Sequence, residues 1–408
     1  MQYNIDMEKK KIAIIGGGAS GLFLANRLNM DGVAIFERGE RLGRKLSATG
    51  NGQGNVTNLA ARETEYFSCG GQNALVKEII KGADERALFA FFQDLGVILT
   101  ADERGRVYPA SRQASALTDA LRYALERKGV EVHLSTRIID MEKRANGFVL
   151  TAEQGENGKT TQYFAEKVVL CAGGKAAKNF GSDGTAYALA EKFGHTVTAL
   201  YPSLVQLKTD TAYTKTLKGI RVNDGNLTAK LSTGEKISLR GDIIFTDYGV
   251  SGDAVFRISA FIADKIADGV TLSIDFLPEI SETEIYNVLK GKRAAFPALS
   301  DGELLFGIVN NQIGRAILKR ANGDLKGAAK LVKGFDVRVT GSLGFDYAQV
   351  TKGGISLSET RETLESRLVS DLYFAGEILD VDGECGGFNL QWAFSSAMRV
   401  AESLKLQR

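Results

Sequence analysis

Three glycines and one acidic residue near the start of the chain have the types and spacing of a dinucleotide-binding site. Gly16, Gly18 and Gly21 form a GxGxxG pattern, and Glu37 follows at the spacing of about 20 residues that such sites use. The first glycine makes a tight turn, the second lets backbone approach a pyrophosphate, and the third lets a helix pack closely on a strand. A carboxylate at Glu37 can accept both hydroxyls of an adenosine ribose. The helix after the glycines then offers free N–H groups to the phosphates, on Ala19 and Ser20.

The elements around this pattern make it specific. Residues 11–15 are a short apolar, β-branched run, Leu22, Ala25 and Leu28 follow at helical spacing, and residues 33–36 form a second apolar run. This order predicts a strand, a glycine turn, a helix and a second strand that ends at the acid. A glycine-rich turn without a ligand is the alternative, and a dinucleotide site is favoured over it.

A long glycine-rich loop follows the second strand. Arg44 and Lys45 stand at its start, and we expect them to pair with a diphosphate, with Arg38 beside the nucleotide. The backbone that follows is too rich in glycine for a helix or an ordinary strand, and it can lie flat against a ring system. The residues concerned are Thr49, Gly50, Asn51 and Gly52. A flexible surface loop is the alternative.

Further segments indicate a flavin rather than a nicotinamide, because a flavin needs additional parts of the same sheet to hold its ribityl chain and ring. Buried runs end on Ala172, Gly173 and Gly174 and, later, on Gly376 and Glu377, whose carboxylate can accept ribityl or ribose-like hydroxyls. The start of the last helix can stabilise negative charge at the flavin N1–C2=O edge. We therefore predict FAD, with these further contact residues: Arg137 and Ile138 for adenine, and Gly386, Gly387, Asn389 and Leu390 for the ring.

Composition excludes several classes of protein. The 408 residues include 51 Lys and Arg against 49 Asp and Glu, so there is no charge excess to attract nucleic acid or an anionic membrane. No run approaches the roughly 20 apolar residues of a membrane span. Three widely spaced cysteines without a CxxC pair argue against disulfides and zinc and favour a reducing, cytoplasmic setting, and two histidines make a metal centre or a His-dependent triad improbable. We therefore predict no metal.

The order of predicted elements gives an α/β fold with an insertion. Residues 1–200 and 342–408 read as one split FAD-binding Rossmann domain. Residues 201–278 contain short alternating runs and predict a β-barrel-like domain, to which 335–341 return as a strand. Residues 279–334 switch to helical spacing and predict a small helical domain.

These motifs resemble the three-domain bacterial flavoproteins that include aminoacetone oxidase and the bile-acid-inducible enone reductases, a family of NAD(P)/FAD-dependent oxidoreductases. The matching stretches are residues 14–21, 43–46 with 49–52, 169–174, 245–252 and, most extensively, 372–392. The resemblance implies a non-covalently bound FAD in a glutathione-reductase-like fold, with the barrel-like and helical domains over the flavin.

The chain departs from that family at several positions. Gln53 and Gly54 stand where the family usually has Arg and Cys, and Asp247 stands where it often has His. Asp247 can transfer a proton only if burial raises its pKa. Candidates for the substrate side are Asp247, Tyr248 and Tyr108, and plain packing is the alternative for each. Cys385 lies in the loop expected near the flavin, where a small buried thiol is favoured over a covalent link.

The chemistry follows from the cofactor only in part. The sequence shows no second GxGxxG unit, so the flavin would be reduced by its substrate, by visiting NADH or NADPH, or by a redox protein. We expect an FAD-dependent oxidoreductase that transfers a hydride between the flavin and a small or hydrophobic carbonyl, enone or amine compound. Oxidase, reductase and oligomeric state stay open. The alternatives are an FAD-binding sensor or partner protein with little turnover, and an NAD-only Rossmann dehydrogenase.

Overall fold

A computed structural model describes residues 7–28, 30–62, 64, 66–155 and 158–406. It divides into two compact units, Met1–Tyr201 with Val350–Arg408, and Pro202–Gln349. The first therefore joins both ends of the chain, and the second is a continuous insertion.

The first unit mixes strands and helices, whereas in the second unit three consecutive helices separate the last strand from the earlier ones. In chain order the strands are β1 Glu8–Ile15, β2 Val33–Phe36, β3 Thr57–Asn58, β4 Leu99–Ala101, β5 Arg106–Pro109, β6 Glu131–His133, β7 Thr136–Arg144, β8 Gly147–Gln154, β9 Lys159–Leu170, β10 Tyr201–Ser203, β11 Leu207–Thr209, β12 Arg221–Leu231, β13 Lys236–Phe245, β14 Gly249–Ser251, β15 Val270–Asp275, β16 Phe335–Ser342, β17 Val350–Lys352 and β18 Leu372–Phe374. The α-helices are α1 Ala19–Arg27, α2 Arg44–Ala48, α3 Asn73–Gly82, α4 Glu85–Asp94, α5 Ala114–Arg127, α6 Tyr187–Glu191, α7 Asp253–Ile262, α8 Glu282–Ala295, α9 Asn311–Ala321, α10 Leu325–Lys333 and α11 Phe388–Leu406.

The first unit is built on a sheet in which, among the described residues, seven strands take part in the order β6-β2-β1-β9-β8-β7, with β18 also paired to β9. Strands β6, β2, β1, β9 and β18 run parallel. Ile15 is in register with Phe36 and with Leu170, and Leu170 with Phe374. The segments that follow these strands therefore emerge at one edge of the sheet, where parallel α/β sheets bind ligands. The predicted α/β Rossmann fold is confirmed.

Burial explains why the apolar runs form this sheet. Every residue of β2 is buried, as are the last four residues of β1 and the last three of β9. Strands covered on both faces read as continuous apolar runs. Helix α11 closes the same core with Trp392 and Phe394, both fully buried. The C-terminal segment thus completes a core that the N-terminal segment begins.

The second unit contains a closed barrel in the order β11-β14-β13-β12-β15-β16. Helices α8, α9 and α10 share one hydrophobic core with the barrel strands, to which they contribute Leu289, Ile317 and Val332. The helices predicted as a domain of their own are therefore part of one barrel-based unit. Residues 342–349, predicted to belong to the FAD-binding domain, belong to this second unit. Strand β16 runs to Ser342, and the Gln349 amide donates to the Leu204 carbonyl oxygen at 3.2 Å.

None of the helices in the described part of the chain combines the length and hydrophobicity required to cross a membrane.

Candidate functional site

The turn between β1 and α1 has the three glycine environments that the sequence predicts. A methyl group on Gly16, whose φ is +106°, would lie 2.5 Å from the Cys171 carbonyl oxygen, and one on Gly21 would lie 2.0 Å from the Gly16 carbonyl oxygen. A methyl group on Gly18 would meet nothing within 4 Å. Gly16 and Gly21 are therefore required by the protein itself, whereas the space above Gly18 is open for a ligand.

The start of α1 faces this open space. Gly18 is its N-cap and provides no side-chain acceptor. The first-turn amides, which include those of Ala19 and Ser20, have no acceptor within the helix because an α-helix leaves its first four N–H groups without one. These amides and the helix dipole form a site for a pyrophosphate.

Glu37 is held in place by backbone amides on both sides. Its Oε2 accepts a hydrogen bond from Gly17 N at 2.8 Å, and its Oε1 accepts one from Gly39 N at 2.7 Å. Each carboxylate oxygen has two lone pairs, so both can still accept a ribose hydroxyl. The orientation of Glu37 is thus fixed by the turn before any nucleotide binds.

Arg137 and Ile138 lie near the start of β7, where the backbone is hydrogen-bonded to the segment that contains Glu37. The Glu37 carbonyl oxygen accepts a hydrogen bond from Thr136 N at 2.9 Å, and the Gly39 carbonyl oxygen accepts one from Ser135 N at 3.0 Å. These bonds bring the first residues of β7 next to the predicted ribose acceptor, where the sequence places the adenine.

Lys45 and Glu377, predicted to bind the diphosphate and the ribityl hydroxyls separately, are in contact with each other. The Lys45 Nζ donates to Glu377 Oε2 at 2.6 Å and to the Ala176 carbonyl oxygen at 3.3 Å. The other oxygen of Glu377 accepts from Thr351 N at 2.9 Å. Lys45 therefore neutralises a carboxylate at the sheet edge, and Glu377 holds it there.

Gly173 and Gly174, which follow the end of β9, lie close to side chains of the protein. A methyl group on Gly174 would lie 2.5 Å from Thr351 Oγ1, and one on Gly173 would lie 2.9 Å from Ser182 Oγ. Thr351 Oγ1 also accepts from Lys175 N at 2.8 Å and from Ala176 N at 2.9 Å. The close neighbour that these glycines require is thus provided by Thr351 and Ser182, which the sequence analysis did not identify. Ala172, just before them, is half-buried.

Arg38 and Arg44 both reach the segment that follows these glycines. Arg38 forms an ion pair with Asp183 at 2.6 Å, and Arg44 donates to the Asn179 carbonyl oxygen at 2.9 Å. The hydrogen bonds to Arg38 and Thr185 outweigh burial and hold the pKa of Asp183 at about 2, so this pair stays charged at neutral pH. Arg44 thus also holds the 176–183 segment, and its predicted contact with a diphosphate stays a prediction.

The glycine-rich loop has left-handed backbone over consecutive residues. Gly50, Asn51 and Gly52 have φ values of +58°, +55° and +82°. All three are exposed, and the loop is anchored at its start by the Thr49 hydroxyl, which donates to the Leu46 carbonyl oxygen at 2.7 Å. A strained non-glycine residue such as Asn51 is typical of functional sites. The loop therefore presents an open backbone surface, as the sequence predicts for contact with a ring.

The loop before α11 is fixed by the protein more tightly than expected. Gly386 and Gly387 have φ values of +130° and +101°, and a methyl group on Gly387 would lie 2.3 Å from the Thr57 carbonyl oxygen. A side chain at Gly387 would thus collide with backbone, not enter a gap beside a ring. The Asn389 side chain accepts from Gly383 N at 2.9 Å and donates to the Gly383 carbonyl oxygen at 2.8 Å.

Asn389 therefore closes the loop that leads into α11. The helix begins at Phe388. Its first amides, which include that of the half-buried Leu390, are the ones available for the predicted contact with a flavin edge.

The three candidates for the substrate side differ in environment. Asp247 is 57% exposed, and Lys218 donates to it at 2.7 Å. The ammonium of Lys218 lowers the pKa of Asp247, so the condition for its acid role, a pKa raised by burial, is not met. Tyr248 is half-buried, and its carbonyl oxygen accepts from Thr209 N at 3.1 Å. Tyr108 is buried, and its ring lies beside Gly50 of the glycine-rich loop.

The three cysteines, all among the described residues, form no disulfide bond, and their environments differ. Cys171 is buried, Cys69 is exposed and Cys385 is partly exposed. Burial raises the pKa of Cys171 to about 12, which makes it an inert thiol. Cys385 is therefore more accessible than the buried thiol that the sequence favours.

One group of side chains has the composition of a metal site. Glu8, Glu131 and His133 lie within 4.8 Å of one another by their donor atoms. The ammonium of Lys10 donates to the carboxylates of both Glu8 and Glu131. A protein cation thus lies where a metal ion would bind.

The first unit fits FAD on three independent features. They are the open space over Gly18 at the start of α1, the doubly anchored Glu37 carboxylate, and the exposed left-handed loop at Gly50 and Asn51. They offer donors for phosphates, an acceptor for a ribose and a surface for a ring, which are the three parts of a dinucleotide with a planar ring system.

Comparison with known proteins extends this result. Residues 10–403 match the family model described as HI0933-like protein Rossmann domain. The 3-dehydro-bile acid delta(4,6)-reductase of Clostridium scindens is 35% identical over 95% of this chain and 97% of its own. The ribosomal RNA dihydrouridine synthase of Escherichia coli is 30% identical over 98% of each chain.

A solved structure shows the same fold. The 3-ketosteroid-delta4-(5alpha)-dehydrogenase of Rhodococcus jostii superposes with a TM-score of 0.51 at 16% identity and covers 97% of this chain and 96% of its own.

Proposed function

Because the chain belongs to the HI0933-like family of FAD-dependent oxidoreductases, we propose that it reduces a carbon–carbon double bond conjugated to a carbonyl group. The similarity to the bile acid delta(4,6)-reductase, which extends over nearly the full length of both chains, carries this proposal. The dihydrouridine synthases support the same reaction type, because uridine carries its reducible double bond next to a ring carbonyl.

In this reaction the substrate gains a hydride at the carbon β to the carbonyl and a proton at the α carbon. Bound FAD would supply the hydride chemistry. The residues of this chain that would hold it are Glu37 at the ribose, the first-turn amides of α1 at the pyrophosphate and the backbone of the 49–52 loop at the ring. Their positions are fixed by backbone hydrogen bonds, so little reorganisation is needed on binding.

Tyr108 is the candidate on the substrate side that has a direct contact with this loop. A methyl group on Gly50 would lie 3.4 Å from Cε1 of Tyr108. Burial raises the pKa of Tyr108, so its hydroxyl keeps its proton at neutral pH. Asp247, exposed and paired with Lys218, is ionised at neutral pH and does not fit a proton donor.

For the electrons, we propose NADH or NADPH as a transient donor. The sequence offers no second GxGxxG unit for a permanently bound nicotinamide, which supports a donor that binds and leaves. The absence of a disulfide at Cys69, Cys171 and Cys385 supports a reducing, cytoplasmic setting. The near balance of 51 basic and 49 acidic residues supports a small-molecule substrate over nucleic acid.

The test is an anaerobic reaction of the FAD-loaded protein. NADH or NADPH is added first, and bleaching of the flavin absorbance is followed by stopped flow. The reduced protein is then mixed with a delta(4,6)-3-dehydro bile acid, with an isolated alkene of similar size as the control. We expect reoxidation by the conjugated ketone alone, with one of its two carbon–carbon double bonds reduced for each flavin that is reoxidised. Reoxidation by neither compound, or by a uridine-containing ribosomal RNA fragment instead, would contradict the proposal.

A further inference from the structure

Tyr108 lies beside two of the segments assigned to the flavin. Its Cε1 would lie 3.4 Å from a methyl group on Gly50 of the glycine-rich loop. Its strand β5 pairs with β3, and Asn58 of β3 donates to the Gly386 carbonyl oxygen at 3.0 Å in the loop before α11. A residue held by the Tyr108 ring is therefore held beside the predicted flavin site.

Arg112 is such a residue. Its guanidinium carbon lies 4.2 Å from the centroid of the Tyr108 ring, the distance of a close cation–π stack. Its backbone is left-handed, with φ of +53°, and its amide donates to the Pro109 carbonyl oxygen at 2.8 Å in a tight turn. The side chain is thus anchored at the turn and at the ring, although the residue is exposed.

The guanidinium of Arg112 has no acidic partner within the described part of the chain, where no carboxylate forms an ion pair or hydrogen bond with it. Arg106 provides the contrast, because its guanidinium lies 6.0 Å from the same ring but pairs with Asp102 at 2.7 Å. Arg112 therefore presents an oriented and available guanidinium beside the site.

The stack leaves a specific part of Arg112 free. A guanidinium that stacks on an aromatic ring uses its face for the contact, and its N–H donors then point outward in the guanidinium plane. Planar, bidentate donors of this kind match the two oxygens of a carboxylate or phosphate. A flexible lysine would give charge at this position without that geometry.

We infer that Arg112, positioned by Tyr108, binds an anionic oxygen group of the substrate, a carboxylate or a phosphate, attached to the conjugated carbonyl compound. This inference rests on the proposed function for the reacting part of the substrate. It adds that the substrate carries a second, negatively charged end, and that Arg112 determines specificity for it.

The test measures binding, so that it does not depend on turnover. FAD-loaded protein is titrated calorimetrically with two matched pairs of compounds: a saturated keto bile acid and its methyl ester, and uridine monophosphate and uridine. The wild-type protein should bind the charged member of one pair about 10- to 100-fold more tightly than the neutral member, the range of a charge-assisted hydrogen bond. The pair that shows this preference distinguishes carboxylate from phosphate.

Variants assign the preference to Arg112. Arg112→Gln should remove it, and Arg112→Lys should leave an intermediate preference because charge remains while the bidentate geometry is lost. Arg127→Gln is the matched control, since Arg127 is exposed and ends the helix that starts at Ala114, about 20 Å away. It should bind like the wild type. FAD content and melting temperature are measured for each variant to confirm folding.

Two results would overturn the inference: a wild-type protein that shows no preference for the charged member of either pair, or an Arg112→Gln variant that keeps the preference. Failure of the proposed function gives a different result, in which the charged compound binds but the reduced protein does not reduce the conjugated ketone. The two ideas can therefore fail separately.

Discussion

The ammonium of Lys45 lies 2.6 Å from Oε2 of Glu377, although 332 residues separate them in the chain. The side chains are 27% and 20% exposed, so the pair is partly shielded from water. It joins α2, the short helix that follows β2, to the segment after β18, at the edge of the sheet where the FAD site is predicted. An ion pair at the predicted site thus connects the N-terminal and C-terminal segments of the first unit.

This pair should contribute measurably to the stability of the first unit. We expect a coupling free energy of about 1 kcal/mol in a double-mutant cycle of Lys45→Met and Glu377→Gln, since partial exposure screens the charges. Urea unfolding of the FAD-free protein, followed by fluorescence of Trp392, the single tryptophan, gives the four free energies of unfolding. Additive effects of the two substitutions, within about 0.4 kcal/mol, would show that the pair contributes nothing.

Glu37→Ala should weaken FAD binding by tenfold or more. The substitution removes the acceptor for the ribose hydroxyls, and a hydrogen bond to a charged group is worth about 1.5–3 kcal/mol. The dissociation constant is measured by titrating FAD-free protein with FAD and following flavin fluorescence. Glu40→Ala, in the same loop but exposed, is the matched control. A Glu37→Ala protein that purifies fully loaded with flavin would disprove the assigned role.

Two glycines of the same turn should respond differently to alanine. At Gly18 the added methyl group meets no protein atom within 4 Å and φ is −79°, so the FAD-free protein should fold normally and lose FAD affinity. At Gly21 the methyl group would lie 2.0 Å from the Gly16 carbonyl oxygen, so folding itself should suffer. Thermal melting of the FAD-free variants, beside FAD titration, separates the two effects. Equal melting losses in both variants would contradict the proposed open space.

The sequence predicts the parts of the site that depend on local pattern. The β1–α1 turn could be predicted from the spacing of its glycines because much of its geometry is local: Gly16 has a positive φ at the turn, and Gly21 packs against the Gly16 carbonyl oxygen. The FAD-binding Rossmann fold and the family resemblance are confirmed for the same reason. Short, strongly patterned segments specify their own geometry.

Contacts between distant segments could not be predicted in this way. The sequence predicts a diphosphate contact for Lys45 and Arg44, but it gave no indication that Lys45 bonds to Glu377 or that Arg44 bonds to the Asn179 carbonyl oxygen. Thr351 could not be identified from the sequence, because threonines are common in strands and only the fold brings this one next to Gly174. The exposure of Asp247 likewise depends on neighbours far away in the sequence.

His195 should make the first unit sensitive to acid. It is fully buried, and burial lowers its pKa against the opposing charge of Glu359, whose Oε2 lies 3.3 Å from Nδ1. The Ser366 hydroxyl accepts from the amides of Leu368 and Val369, so its own proton is donated to His195 Nε2 at 2.7 Å. The ring is therefore neutral in the folded protein, with its proton on Nδ1.

The sign of the pH effect follows from this lowered pKa. Below about pH 6.5 the unfolded chain binds a proton at this histidine while the folded chain resists it, so the free energy of unfolding falls by at most about 1.4 kcal/mol per pH unit. In the His195→Gln variant, the free energy of unfolding should fall less steeply between pH 7 and pH 5 than in the wild type. Urea unfolding with Trp392 fluorescence measures both slopes. Identical slopes for the wild type and His195→Gln would refute the assigned neutral state.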